Sequence, residues 1–243
     1  MPRPSVVRSL ILSVLSLSCV AFVHAQDKPN TAVIPVPREG NWMQRHELIN
    51  SRAKAGNIDL LFIGDSITQG WENAGKSVWE KFYGKRHAMN AGIGGDRTQH
   101  VLWRLDHGNI DGIKPKLIVL MIGTNNSNGM DNTAEEIGAG ITAIVHKLRE
   151  KLPESKILVL GVFPRGAGPS PHREKNAKAS EIASKLADGK MVHYMDIGKK
   201  FLEPDGTTLS KEVMPDLLHL NEKSYTTWAE AIEPKVAELL GEK

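Results

Sequence analysis

The sequence predicts an α/β fold, a three-layer α/β/α sandwich around a central parallel sheet of about five strands. Two observations predict it. Short, nearly continuous, β-branched apolar runs recur along the chain, as in strands buried on both faces. Between them lie longer stretches with helical spacing, and strands alternating with helices imply parallel pairing with helices on both faces. The strand candidates are Ile58–Ile63, a short one at His87–Asn90, Lys116–Ile122, Lys156–Val162 and Met191–Asp196. The helix candidates are Trp42–Ala55 (closed by Gly56), Ser77–Tyr83, Arg97–Leu105, Thr133–Leu152, His172–Ala187 and Glu222–Leu240. No internal repeat or low-complexity segment interrupts the pattern.

The start of the chain reads separately. Arg3 and Arg8 precede an acid-free apolar run from Leu10 to Val23, followed by Val23-His24-Ala25. A basic head, a short apolar centre and a small-residue site make residues 1–25 a signal peptide, with the mature chain starting at Gln26. The run is too short for a comfortable membrane span. Lipid attachment at Cys19 is the variant, but Ser16 stands where the usual leucine would be. An exported location, periplasmic or secreted, is therefore expected. Residues 26–40, rich in Pro, Gly and polar groups, read as an extended leader, and 41–243 as one domain.

Cys19 is the chain's one cysteine. The mature protein then has no disulfide and no thiolate chemistry, so a sizeable core must stabilise it. The 31 basic residues lose Arg3 and Arg8 with the signal and stand against 28 acidic ones. That near balance gives no electrostatic case for nucleic acid.

The most informative run is Leu60-Leu61-Phe62-Ile63-Gly64-Asp65-Ser66-Ile67-Thr68. A buried strand ending in a glycine turn delivers one serine hydroxyl to the sheet's edge, where ligands of such sheets bind. Asn90-Ala91-Gly92-Ile93-Gly94-Gly95-Asp96 and Gly123-Thr124-Asn125-Asn126 also follow strand ends, and Asp216-x-x-His219 lies near the C-terminus.

With these blocks the chain resembles the SGNH (GDSL) hydrolase superfamily, over about Pro35 to Leu240. Within it, the run Asn90 to Leu105 is similar to the catalytic α subunits of intracellular platelet-activating-factor acetylhydrolase. So are Val162-Phe163-Pro164-Arg165-Gly166 and Pro171-x-Arg173-Glu174-Lys175-Asn176. The resemblance implies a flavodoxin-like sheet, a serine esterase, removal of short acyl groups and, because the related subunits pair up, a homodimer.

Ser66 is the candidate nucleophile, since a serine hydroxyl needs a neighbouring base to remove its proton. Of nine histidines, His219 is the candidate base. Asp216, three residues earlier, can curl back onto Nδ1–H and leave Nε2 facing Ser66. His46 and His146 read as surface or packing residues; His87 and His193 sit in or beside strands. His100, His107 and His172 lack a suitably placed carboxylate. The order Ser, Asp, His also occurs in α/β-hydrolases, but Gly64-Asp65-Ser66-Ile67-Thr68 lacks their second glycine.

By resemblance the oxyanion donors are the Ser66 backbone N–H, the Gly95 N–H and the Asn125 side-chain amide; Gly94 stays open beside Gly95. Asp65, Asn90 and Thr124 are expected to brace these loops through side-chain-to-backbone hydrogen bonds. Arg104, Arg165 and Arg173 either brace them or line the pocket. Trp71, Trp79, Trp103 and Trp228 read as core at helical spacing, with an acyl pocket as the alternative. No cofactor is implied. There is no metal-ligand spacing, and Gly92-Ile93-Gly94-Gly95 lacks nucleotide-loop spacing.

The substrate reading is a small-molecule or glycan ester, acetyl above all. A lysophospholipase or arylesterase role is the alternative, or a catalytically silent carbohydrate-binding protein on the same fold.

Overall fold

The computed structural model describes residues 28–242, together with Met1. The expected signal peptide, its cleavage site and Cys19 lie outside the described residues. Among those described, no helix is long and apolar enough to cross a membrane.

Five parallel strands form one sheet: β1 Leu60–Gly64, β2 Ala88–Gly92, β3 Leu117–Met121, β4 Lys156–Leu160 and β5 Val192–Met195. Their order is β2-β1-β3-β4-β5. Seven α-helices among the described residues flank it: α1 Asn41–Ala55, α2 Ser66–Gln69, α3 Lys76–Tyr83, α4 Thr98–Leu105, α5 Ala134–Lys151, α6 Pro171–Ser184 and α7 Glu222–Leu240. This is the α/β/α architecture the sequence predicts.

Alternation along the strands builds two cores. Leu61 and Ile63 of β1 join Ile118, Leu120, Ile157 and Val159 beneath α1, α4, α5 and α6. Leu60 and Phe62 point the other way, with Leu117, Val119 and Leu158, into a cluster closed by α3 and α7. Every residue of β1 and β3 is buried. This is why their sequences are apolar without alternation.

Local chemistry sets the helix ends. Thr133 and Glu136 form a reciprocal capping box at the start of α5, with Glu136 N–H donating to Thr133 Oγ1 and Thr133 N–H to Glu136 Oε2. Ser170 caps α6 ahead of Pro171, and Asn221 caps α7.

Several boundaries fall short of expectation: β1 begins at Leu60 rather than Ile58, β3 and β5 lose a residue at each end, and two C-terminal ends have a visible cause. β4 stops at Leu160 rather than Val162, because Val162 N–H leaves the ladder for Ser180 Oγ at 2.9 Å. α6 stops at Ser184 because the chain tightens, Lys185 N–H donating to Ile182 O and Leu186 N–H to Ala183 O. The sequence reading also gave no sign of α2, a single turn too short to show a period.

Residues 31–33 form a short 3₁₀ turn, and the segment up to Gly40 runs along the domain. Thr98 Oγ1 donates to Ala32 O at 2.8 Å and Asn132 Nδ2 to Thr31 Oγ1 at 3.0 Å.

The strand order reverses direction at β1. β2 lies on one side of it and β3 on the other, so a crevice opens past their C-terminal ends. Ser66 follows β1, the glycine loop follows β2 and Gly123-Thr124-Asn125 follows β3. Topology alone thus brings three distant segments to one crevice.

Candidate active site

β1 ends at Gly64, which has no room for a side chain. A Cβ there would collide with Thr68 Oγ1 and lie 2.5 Å from the Met121 carbonyl oxygen. The chain turns directly into α2, whose first residue is Ser66. Asp65 caps that turn by accepting from Ile67 N–H at 2.9 Å. Tyr225 O–H holds its far side, donating to Ile67 O at 2.6 Å. The Asp65 side chain is buried, and burial pushes its carboxyl up to about 7, helped by the nearby Asp96 charge.

The loop before α7 supplies the partners. Ser66 Oγ lies 2.8 Å from His219 Nε2. On the far side of the ring, Nδ1 lies 2.6 Å from Asp216 Oδ2. A carboxylate at Nδ1 keeps the proton there, so Nε2 accepts from Ser66 O–H. Asp216 Oδ1 also accepts from the backbone N–H groups of His219 at 2.7 Å and Leu218 at 3.1 Å. Leu217 makes this tight loop possible with a left-handed backbone, φ +60°. Its carbonyl accepts from Gly166 N–H, anchoring the loop to the β4–α6 connection.

The Asp216 side chain is 57% exposed. Partial burial pushes its carboxyl up, but the hydrogen bonds from His219 and Leu218 outweigh that and leave it below the usual range. It is therefore ionised at neutral pH.

The loop after β2 faces Ser66. Asn90 braces it twice: Oδ1 accepts from Gly92 N–H at 2.8 Å, and Nδ2 donates to Thr68 O at 3.0 Å. Gln69 Oε1 accepts from Gly94 N–H at 2.7 Å. Gly94 N–H is thereby occupied. Gly95, at φ +75°, has an N–H with no acceptor among the described residues. Asn125 Nδ2 donates one hydrogen to Asp96 O at 2.9 Å, which leaves the other amide hydrogen for a ligand. Thr124 enters the network chiefly through its carbonyl. That oxygen accepts from Arg165 Nη1 at 3.0 Å and from Ser127 Oγ at 2.8 Å, rather than its hydroxyl reaching backbone as expected.

Behind the loop lies a fully buried ion pair. Arg104 Nε donates to Asp96 Oδ2 at 2.8 Å, Nη1 to Asn109 Oδ1 at 2.9 Å and Nη2 to Gly64 O at 3.1 Å. Trp42 Nε1 donates to Asp96 Oδ1 at 2.5 Å. Burial pushes Asp96 up and Arg104 down, each opposed by the other's charge. Arg104 thus joins the end of β1 to the residue after Gly95.

Arg173 braces too, donating to the Arg165 and Gly166 carbonyls. Trp71 and Trp228 are fully buried in the α3/α7 core, so they line no acyl pocket. Gln69, Trp42 and Arg38, whose Nη1 donates to the Gly94 carbonyl at 2.8 Å, were not anticipated from the sequence; the spacing of Gln69 three residues after Ser66 was the available signal.

A cavity of about 320 Å³ lies at the ends of β4 and β5, among Val162, Pro164, Arg173, Asp196 and Leu202. Ser66 and His219 do not line it. Among the described residues, no three His, Cys, Asp or Glu side chains converge as metal ligands.

Residues 62–226 match the model of the GDSL-like lipase/acylhydrolase family. The chain belongs to this family. The bovine platelet-activating factor acetylhydrolase IB subunit alpha1 is 39% identical over 211 residues, 86% of this chain and 88% of that one. The rat alpha2 subunit is 39% identical over 227 residues, 90% and 95% of the two chains. An acetylxylan esterase from Geobacillus stearothermophilus shares the fold, with a TM-score of 0.60 at 19% identity, covering 77% of this chain and 96% of its own. As a GDSL acylhydrolase, the chain is a carboxylic ester hydrolase.

Proposed function

We propose that the protein is an exported serine esterase that removes short acyl groups, acetyl foremost, through Ser66, His219 and Asp216. The observation that carries the reading is the 2.8 Å contact from Ser66 Oγ to an imidazole backed by a carboxylate. Ser66 Oγ attacks the ester carbonyl while its proton passes to His219 Nε2. Negative charge moves to the carbonyl oxygen, which accepts from Ser66 N–H, Gly95 N–H and Asn125 Nδ2. Fixed donors of this kind lower the barrier by roughly 3–4 kcal/mol each. Collapse expels the alcohol, which takes the proton from His219. Water then loses a proton to the same nitrogen, attacks the acyl-serine, and the acid leaves as Ser66 recovers its hydrogen.

Asp216 holds the ring's tautomer and stabilises the imidazolium without taking the proton. Acetyl preference is supported by the names of the relatives: an acetylhydrolase in sequence, an acetylxylan esterase in fold. Export is supported by the charged, apolar and small-residue order of residues 1–25.

A series of p-nitrophenyl esters tests the substrate reading. The expected result is kcat/KM falling from acetate to butyrate to octanoate. A steady climb towards octanoate would point to an open apolar groove, where each methylene adds about 0.8 kcal/mol, and to a lysophospholipase or lipase.

A further inference from the structure

We propose that Arg38, in the segment before α1, is a positioning residue for the reaction and acts through the Gly94–Gly95 peptide. The inference rests on the reading of Ser66 as nucleophile and Gly95 N–H as oxyanion donor. Arg38 Nη1 donates to the Gly94 carbonyl oxygen at 2.8 Å. That carbonyl and the Gly95 N–H belong to one peptide unit. A guanidinium on the oxygen draws electron density along the amide and leaves the N–H a stronger donor, since hydrogen bonds in a chain polarise one another. It also fixes the peptide plane, and hence the direction in which Gly95 N–H points.

The rest of the loop is pinned to the same end. Gln69 holds Gly94 N–H on one side and Arg104 holds Asp96 on the other, so the Gly95 N–H is left as the loop's unoccupied donor. The guanidinium lies against Gly95 itself: a Cβ on that residue would come within 2.9 Å of Arg38 Nη1. Nη1 also lies 3.9 Å from Asp96 Oδ1, a longer and weaker contact than the 2.8 Å hydrogen bond to the Gly94 oxygen. The side chain is 39% exposed. The segment carrying it is tied down elsewhere, Val36 N–H donating to Gln99 O and Thr98 to Ala32 O. Other contacts thus anchor the segment, and the guanidinium's shortest contact is its bond to Gly94.

The test compares wild type, Arg38→Ala, Arg38→Gln and Arg38→Lys with Ser66→Ala, using p-nitrophenyl acetate and inhibition by phenylboronic acid, whose tetrahedral serine adduct carries the oxyanion charge. For Arg38→Ala the expected result is kcat lower by about tenfold, short of the roughly 10²–10³ lost with a whole oxyanion donor. KM should stay unchanged and boronate affinity should weaken in parallel with kcat. Arg38→Gln should fall between, keeping a neutral donor, and Arg38→Lys, keeping a charged one, should lie above it and nearest wild type. Added ethylguanidinium should restore part of the Arg38→Ala rate and none of the Ser66→Ala rate. Wild-type kcat in a folded Arg38→Ala protein, or a rise in KM alone, would overturn the role of Arg38. If Arg38→Ala does not fold, the kcat and boronate order of the Gln and Lys variants decides in the same way. An inactive Ser66→Ala beside a fully active Arg38→Ala removes this inference only. An active Ser66→Ala removes the reading beneath it as well.

Discussion

In the proposed mechanism the chemistry at Ser66 depends on one hydroxyl and one ring. Ser66→Ala should reduce ester turnover by several orders of magnitude without altering the fold, because the nucleophile works as a unit with its base. Circular dichroism and p-nitrophenyl acetate hydrolysis check both halves. Asp216 differs from the buried carboxylates of many serine hydrolases in being more than half exposed. Water screens its field at the ring, so Asp216→Asn should cost less than the roughly 10⁴-fold known for a buried triad aspartate. Steady-state kcat measures this, and a loss beyond that figure would show the carboxylate doing more than orienting.

Asp65 gives a separate pH signature. Its folded carboxyl is raised to about 7, so the native state holds a proton that the unfolded chain releases. Its contribution to stability is complete below the ordinary carboxylate range and is lost as pH rises towards 7. Asp65→Asn keeps an oxygen to accept from Ile67 N–H and carries no such dependence. The melting temperature of Asp65→Asn relative to wild type should therefore rise between pH 5 and pH 7. A constant difference across that range would mean that Asp65 is ionised in the fold.

Among the elements, the junctions matter more than the lengths. Arg104 ties β1, α4 and the loop after β2 together at one buried point. Arg104→Met should cost about 3–5 kcal/mol, because Asp96 is left charged and buried without its partner. Chemical denaturation of Arg104→Met and of the Asp96→Asn/Arg104→Met double variant tests this. The double variant should recover part of the loss; equal stability of the two would mean that the penalty is packing and not charge. The strands were legible in the sequence because β1 and β3 are buried on both faces and must be apolar throughout. α2 was not, since one turn has no period and is made by the Asp65 cap and the Tyr225 hydroxyl, a residue 158 positions from Ile67.

For the whole molecule, the same contrast separates what the sequence can say from what only folding reveals. The meeting of Ser66, Asp216 and His219 was readable because a strand-end serine and a three-residue Asp–His spacing have direct chemical meaning. Arg38 and Trp42 had none, and Gln69 only its spacing from Ser66: each meets the glycine loop after β2 from another part of the chain. The sheet order provides that meeting, since its reversal at β1 opens the crevice that all the blocks face. Export belongs to this scale too. Expression of the full chain should yield a mature protein beginning near Gln26, and N-terminal sequencing that finds Met1 retained would refute the signal reading.

The central claim is that Ser66 is the nucleophile and His219 activates it. Treatment with a fluorophosphonate, followed by peptide mass mapping, tests it most directly. The expected result is one adduct per chain, on Ser66, formed far more slowly in His219→Ala. An unlabelled protein, or an adduct on a different serine, would contradict the account.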